Sequence, residues 1–118
     1  MSIRNALASV PVAELGLSLR WYEQLFGRGP DSTPMPELAE WKFVGGGWLQ
    51  VYQAPARAGG GSVTLAVRGM EDEIARLDRL GIDTSRRTSG VQVKTVMITD
   101  PDGNSIAFAE TRDPGMAQ

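Results

Sequence analysis

The stretch Asp100-Pro101-Asp102-Gly103-Asn104 limits what this chain can fold into more than any other. Pro101 presets φ at the second position of a reversal, and Gly103 can take the left-handed conformation that closes a tight hairpin loop. Residues 91–99 before it and 105–110 after it both read as strands. If Asp100 pairs with Asn104 across the loop, the two strands run antiparallel. Thr95, Met97 and Thr99 then share one sheet face with Ser105, Ala107 and Ala109.

The rest of the chain supplies partners for that hairpin. Residues 3–13 alternate weakly, as a half-buried strand does. In residues 15–26, Leu15, Leu19, Tyr22 and Leu25 recur at helical spacing, and Gly27 stops the helix. Residues 28–36, rich in Pro, Asp and Ser, are expected to be a loop. Residues 40–44 and 48–53 flank Gly45-Gly46-Gly47 as a second hairpin. Residues 54–61 (APARAGGG) have the composition of a flexible linker. Residues 62–67 alternate, and residues 70–80 form an amphipathic helix ended by Gly81. Arg86-Arg87 fall in a Ser/Thr-rich turn and are expected to be solvated.

This order repeats. At an offset of 55 residues, Leu15, Leu19, Tyr22 and Leu25 fall on Met70, Ile74, Leu77 and Leu80, while Val10 and Val12 fall on Leu65 and Val67. At an offset of 57, Gly46, Leu49 and Val51 fall on Gly103, Ile106 and Phe108. A duplicated strand–helix–strands unit explains the matches. It divides a single domain into a first module at 3–53, a linker at 54–61 and a second module at 62–111.

Strand parity separates two faces. Burying Leu49, Val51, Val63, Leu65, Val67, Ile106 and Phe108 under the helices is worth about 1.5–3 kcal/mol for each large side chain. Trp48, Gln50 and Tyr52 then point to the opposite face. Ser62, Thr64, Thr95, Met97, Ser105, Ala107, Leu7 and Ser9 join them there. The Gly45–Gly47 turn can close in two ways, so the register of Trp41 and Phe43 stays open, and Trp41 is retained among the candidates.

Composition removes several chemistries. The 118 residues contain no His and no Cys, so imidazole acid–base catalysis, thiolate nucleophiles and Cys-ligated zinc are absent. The net charge of −2 argues against a nucleic-acid partner. Neither a signal-peptide pattern nor an apolar run of membrane-spanning length occurs, so a cytoplasmic protein is expected, with no membrane partner. Neither glycine triplet opens a helix or precedes Lys-Ser/Thr, so both read as turn and linker rather than phosphate cradles. Asp31, Glu37 and Glu40 form a loose acidic group.

Two motifs carry a resemblance to a known family. The Asp100–Asn104 turn followed by a hydrophobic strand is similar to the closing hairpin of the vicinal-oxygen-chelate superfamily, which includes glyoxalases, ring-cleaving dioxygenases, and bleomycin and fosfomycin resistance proteins. Val10-Pro11-Val12 leading into Ser18-Leu19-Arg20-Trp21-Tyr22-Glu23-Gln24-Leu25-Phe26-Gly27 resembles its opening strand and helix. The resemblance implies an α+β fold of two βαβββ modules. Their mixed sheets form a cup-shaped, partly open barrel, usually completed by a second copy as a homodimer. It also places the superfamily's metal ligands at Leu7, Gln50, Ser62 and Ala107. None of these is a His or a carboxylate, and two lack a donor atom, so neither metal nor cofactor is expected.

The sequence therefore points to a metal-independent binding protein for a small organic ligand, aromatic or antibiotic in kind. Trp48, Gln50 and Tyr52 would form a wall, and Ser62, Thr64, Ser105 and Ala107 a floor. The same residues can instead fill a barrel or line a dimer interface. A lyase, isomerase or dioxygenase-like enzyme working through carboxylates or unusual oxygen ligands is one alternative. A non-catalytic dimerisation scaffold is another.

Overall fold

Each half of the chain folds as a strand, a helix and three further strands in the computed structural model, which describes residues 2–111. The first half contains β1 (Leu7–Val12), α1 (Leu15–Phe26), β2 (Ser32–Met35), β3 (Leu38–Lys42) and β4 (Trp48–Gln53). The second contains β5 (Ser62–Ala66), α2 (Met70–Arg79), β6 (Arg87–Ser89), β7 (Val93–Thr99) and β8 (Ser105–Thr111). The sheets have the matching orders β1-β4-β3-β2 and β5-β8-β7-β6. β1 runs parallel to β4 and β5 to β8, while the other pairs are antiparallel. This is the α+β arrangement of two βαβββ modules, with helices outside and an open cup inside.

Partners set the strand lengths. β1 is shorter than the expected 3–13 because β4 offers partners only from Leu7 to Val12. Two strands had no local signal. β2 lies where a loop was expected, and its ladder to β3 is broken by a bulge. Pro34 is tolerated there because an edge strand need not donate on its outer side. β6 lies where a turn was expected, and both short strands are the outer edges of their sheets.

The helices bury one stripe each. α1 covers its sheet with Leu15, Tyr22 and Leu25 and ends at Gly27, whose φ of 71° is left-handed. α2 buries Met70, Ile74 and Leu77, but Leu80 follows the last helical residue and stays 38% exposed.

The two central hairpins close identically. Phe43 N–H donates to Gly47 O at 2.8 Å and Gly46 N–H to Phe43 O at 2.9 Å. Asp100 N–H donates to Asn104 O and Gly103 N–H to Asp100 O, both at 3.0 Å. Gly46 and Gly103 have φ of 98° and 96°. This closure sets Trp41 opposite Leu49, which turns its ring toward α1. Trp41 is fully buried, 5.3 Å from Phe26 and 6.1 Å from Tyr22 by ring centroids. It is a core residue rather than a cup residue, which corrects the sequence reading.

Residues 54–61 do not serve as a loose linker. Residues Pro55–Arg57 form a 3-10 turn, and the glycines allow close approach. A Cβ on Gly61 would meet Pro11 Cδ at 2.7 Å and Asn104 Oδ1 at 2.9 Å. Asn104, fully buried, bonds across the module boundary: its Nδ2 donates to Pro11 O at 2.7 Å and its Oδ1 accepts Gly61 N–H at 2.7 Å. Asp102 extends the junction by accepting Ala13 N–H at 3.2 Å.

Candidate functional site

The helix-free faces are organised as cross-strand rungs. In the first module these are Leu7–Trp48–Lys42, Ser9–Gln50–Glu40–Ser32 and Pro11–Tyr52–Leu38. In the second they are Ser62–Ser105–Thr99, Thr64–Ala107–Met97 and Ala66–Ala109–Thr95–Thr88. Eleven of the twelve residues singled out from the sequence therefore lie on the helix-free faces, Trp41 being the exception.

The faces differ in character. Trp48, Gln50 and Tyr52 stand half-buried in the first module. The second module presents small and hydroxyl side chains, among which Ala107 and Ala109 are buried, and Thr88 and Thr95 share a hydroxyl–hydroxyl hydrogen bond.

One rung is fully wired. Ser9 Oγ donates to Gln50 Oε1 at 3.0 Å, Gln50 Nε2 donates to Glu40 Oε2 at 2.6 Å, and Ser32 Oγ donates to Glu40 Oε1 at 2.8 Å. The Gln50 and Ser32 donors meet on the Glu40 carboxylate, and no cation pairs with it among the described residues. Lys42, two residues further along, holds its ammonium 5.8 Å from the Trp48 ring centroid, within cation–π range. Glu40 and Lys42 were not assigned to the cup from sequence, because the β3 register was open. The 57-residue offset, carried from Asp100/Asn104 to Phe43/Gly47, would have set it.

Leu7, Trp48 and Thr64 also border a cavity of about 710 Å3 between the modules, which the other candidates do not line. Its rim holds Arg28, whose Nη1 donates to Asp31 at 2.7 Å. Asp31 also accepts Lys42 N–H at 2.6 Å, and that bond, followed by Arg28, holds its carboxyl below the ordinary value.

The positions that the resemblance assigns to a metal do not fit one. Leu7 and Ala107 have no donor atom, and the Gln50 carbonyl already accepts from Ser9. Hard divalent cations take about six or more oxygen ligands, several of them carboxylates. Among the described residues no group of three or more His, Cys, Asp or Glu is placed to hold a metal ion. Likewise, among them no helix is long and apolar enough to cross a membrane.

No family model matches the sequence, and no curated protein matches it. Solved structures do. A glyoxalase/bleomycin resistance protein from Catenulispora acidiphila is 30% identical with a TM-score of 0.83, over 92% of this chain and 99% of that one. TnmS3, an antibiotic-binding protein from Streptomyces, is 21% identical with a TM-score of 0.77, over 94% and 98%. A lactoylglutathione lyase from Agrobacterium tumefaciens is 20% identical with a TM-score of 0.74, over 93% and 94%. The last two share the fold. The first, at its identity and near-complete coverage, establishes kinship: this chain belongs to the glyoxalase/bleomycin resistance protein family, within the vicinal-oxygen-chelate superfamily.

Proposed function

We propose that this protein binds a small organic molecule in its cup without a metal, and that a second copy of the chain completes the site. The observation that carries this reading is the Ser9–Gln50–Glu40–Ser32 rung lying between Trp48 and Tyr52 on one face. An aromatic wall with a few fixed polar groups has the make-up of a small-molecule site. The metal-independent part rests on the donorless Leu7 and Ala107. Two neighbours named for bleomycin resistance and antibiotic binding support an antibiotic or toxic metabolite as the ligand class.

Tryptophan fluorescence titrated with a panel of aromatic and glycopeptide antibiotics, in metal-depleted buffer, tests the reading. At least one ligand is expected to bind saturably, with Trp48→Ala and Gln50→Ala each weakening it about tenfold or more, equivalent to about 1.4 kcal/mol. Unchanged affinity in both variants would remove the cup from consideration, and stoichiometric metal in the purified protein would end the metal-free claim. Sedimentation velocity checks the dimer.

The Glu40 carboxylate, which has no cation partner among the described residues, favours a second reading, a lyase or isomerase using it as a proton acceptor. Turnover of a candidate substrate that is lost in Glu40→Gln while binding persists would select it.

A further inference from the structure

At one end of the seam between the modules, Pro11, Gly61 and Asn104 are in contact. At the other end, residues 6–8 and 63–67 line the cavity of about 710 Å3. We propose that this cavity is a second binding site, separate from the polar rung of the cup, and that it takes an uncharged, largely apolar aromatic molecule.

Its size falls within the range of about 300–1,000 Å3 that small-molecule sites occupy. Leu49, Val63 and Phe108 reach it from the core, while Phe26, Phe43 and Val67 line it and remain partly exposed. Phe26 and Phe43 meet edge to face at 5.4 Å, so an aromatic guest finds both ring edges and ring faces.

The charges at the rim decide the ligand class. Arg28 is held by Asp31 and by Lys42 O, and Arg76 by Glu73 at 2.7 Å and by Leu25 O. Both guanidiniums are thus matched by carboxylates, and the remaining lining is apolar apart from Thr64 and backbone. A charged guest would lose its hydration and gain no uncommitted counter-charge, whereas a neutral one has no such loss.

The test uses N-phenyl-1-naphthylamine, a neutral fluorophore, against its anionic relative 8-anilinonaphthalene-1-sulfonate. Saturable binding of the neutral probe is expected, at least about tenfold tighter than the sulfonate. Val67→Trp and Ala8→Phe each fill the seam, and either one that keeps the wild-type circular dichroism is expected to lower probe affinity about tenfold. No saturable binding, or a sulfonate that binds as tightly, overturns the proposal. So does a response to Gln50→Ala with none to the seam variants, which would seat the probe in the cup. Probe binding that disappears as protein concentration is raised would give the cavity to a second copy of the chain. If neither seam variant folds, the neutral-to-anionic preference of the wild type decides.

Discussion

The Asp100 carboxylate accepts four hydrogen bonds: from Tyr22 Oη at 2.7 Å, Asn104 Nδ2 at 2.8 Å, and the N–H groups of Asn104 at 2.9 Å and Asp102 at 3.0 Å. Three of them close the turn itself, and the fourth ties that turn to α1 of the other module. Tyr22→Phe keeps the ring but removes a donor from a buried carboxylate. It is expected to lower the urea-unfolding free energy by about 1–3 kcal/mol. Burial, followed by the bond to Asp100, pushes the Tyr22 phenol far up. An unfolded phenol ionises near pH 10, so the unfolded state loses this proton first. The Tyr22 contribution is therefore whole below about pH 10 and shrinks as pH rises above it. Tyr22→Phe is expected to flatten the alkaline slope of stability, and an unchanged slope would assign it to other groups. Trp41 belongs to the same cluster. Trp41→Ala is expected to cost about 3–5 kcal/mol of stability, the range for emptying a buried aromatic site.

Among the elements, the repeat extends to how the helices begin. Gln53 Oε1 accepts Leu15 N–H at 3.0 Å, at the first residue of α1. Glu110 accepts Gly69 N–H at 2.7 Å and Met70 N–H at 3.2 Å, at the start of α2. Gln53 and Glu110 are 57 residues apart, and each caps its own module's helix from the last strand. These caps stand in for the side-chain N-cap that neither helix has locally. The Gly69 bond, then the Met70 bond, holds the Glu110 carboxyl below its ordinary 4.5. A lowered carboxylate stabilises above its unfolded-state value, and the effect is lost as pH falls through the folded one. The protection of the first-turn amides of α2, taken relative to the intrinsic exchange rate at each pH, is expected to fall on acidification through that range. Glu110→Gln should exchange faster at neutral pH and respond less to acid, while α1, capped by a neutral amide, should show no such step. β2 and β6 were illegible for a different reason: each is an edge strand defined by one neighbour, with little apolar alternation of its own.

For the whole molecule, residues 54–61 decide how the modules meet. A Cβ at Gly59 would sit 2.6 Å from Asp102 O, with φ at +90°. Gly46 has a similar φ of +98° but open space around it. Gly46→Ala is therefore expected to cost only the left-handed penalty, about 1–2 kcal/mol. Gly59→Ala adds a backbone clash worth a further 1–3 kcal/mol or about that. Equal losses in thermal unfolding would show that the turn yields without disturbing the junction. The difference bears on function, because the seam cavity is lined by residues of both modules.

Local chemistry in the sequence determined the turns, the helical stripes, the duplicated order and the face of every strand whose turn register was readable. Those properties depend on residues close along the chain or related by the repeat, so the pattern alone assigns Trp48, Gln50, Tyr52, Ser105 and Ala107 to the helix-free faces. Tertiary structure alone decided the rest. Trp41 went to the core and Glu40 to the cup because pairing of Phe43 with Gly47, with three residues between them, set the β3 register. The glycines of residues 54–61 became points of close contact because Pro11 and Asp102 approach them from elsewhere in the chain. The seam cavity has no sequence signature, since it is the space between two modules whose separation no single stretch encodes.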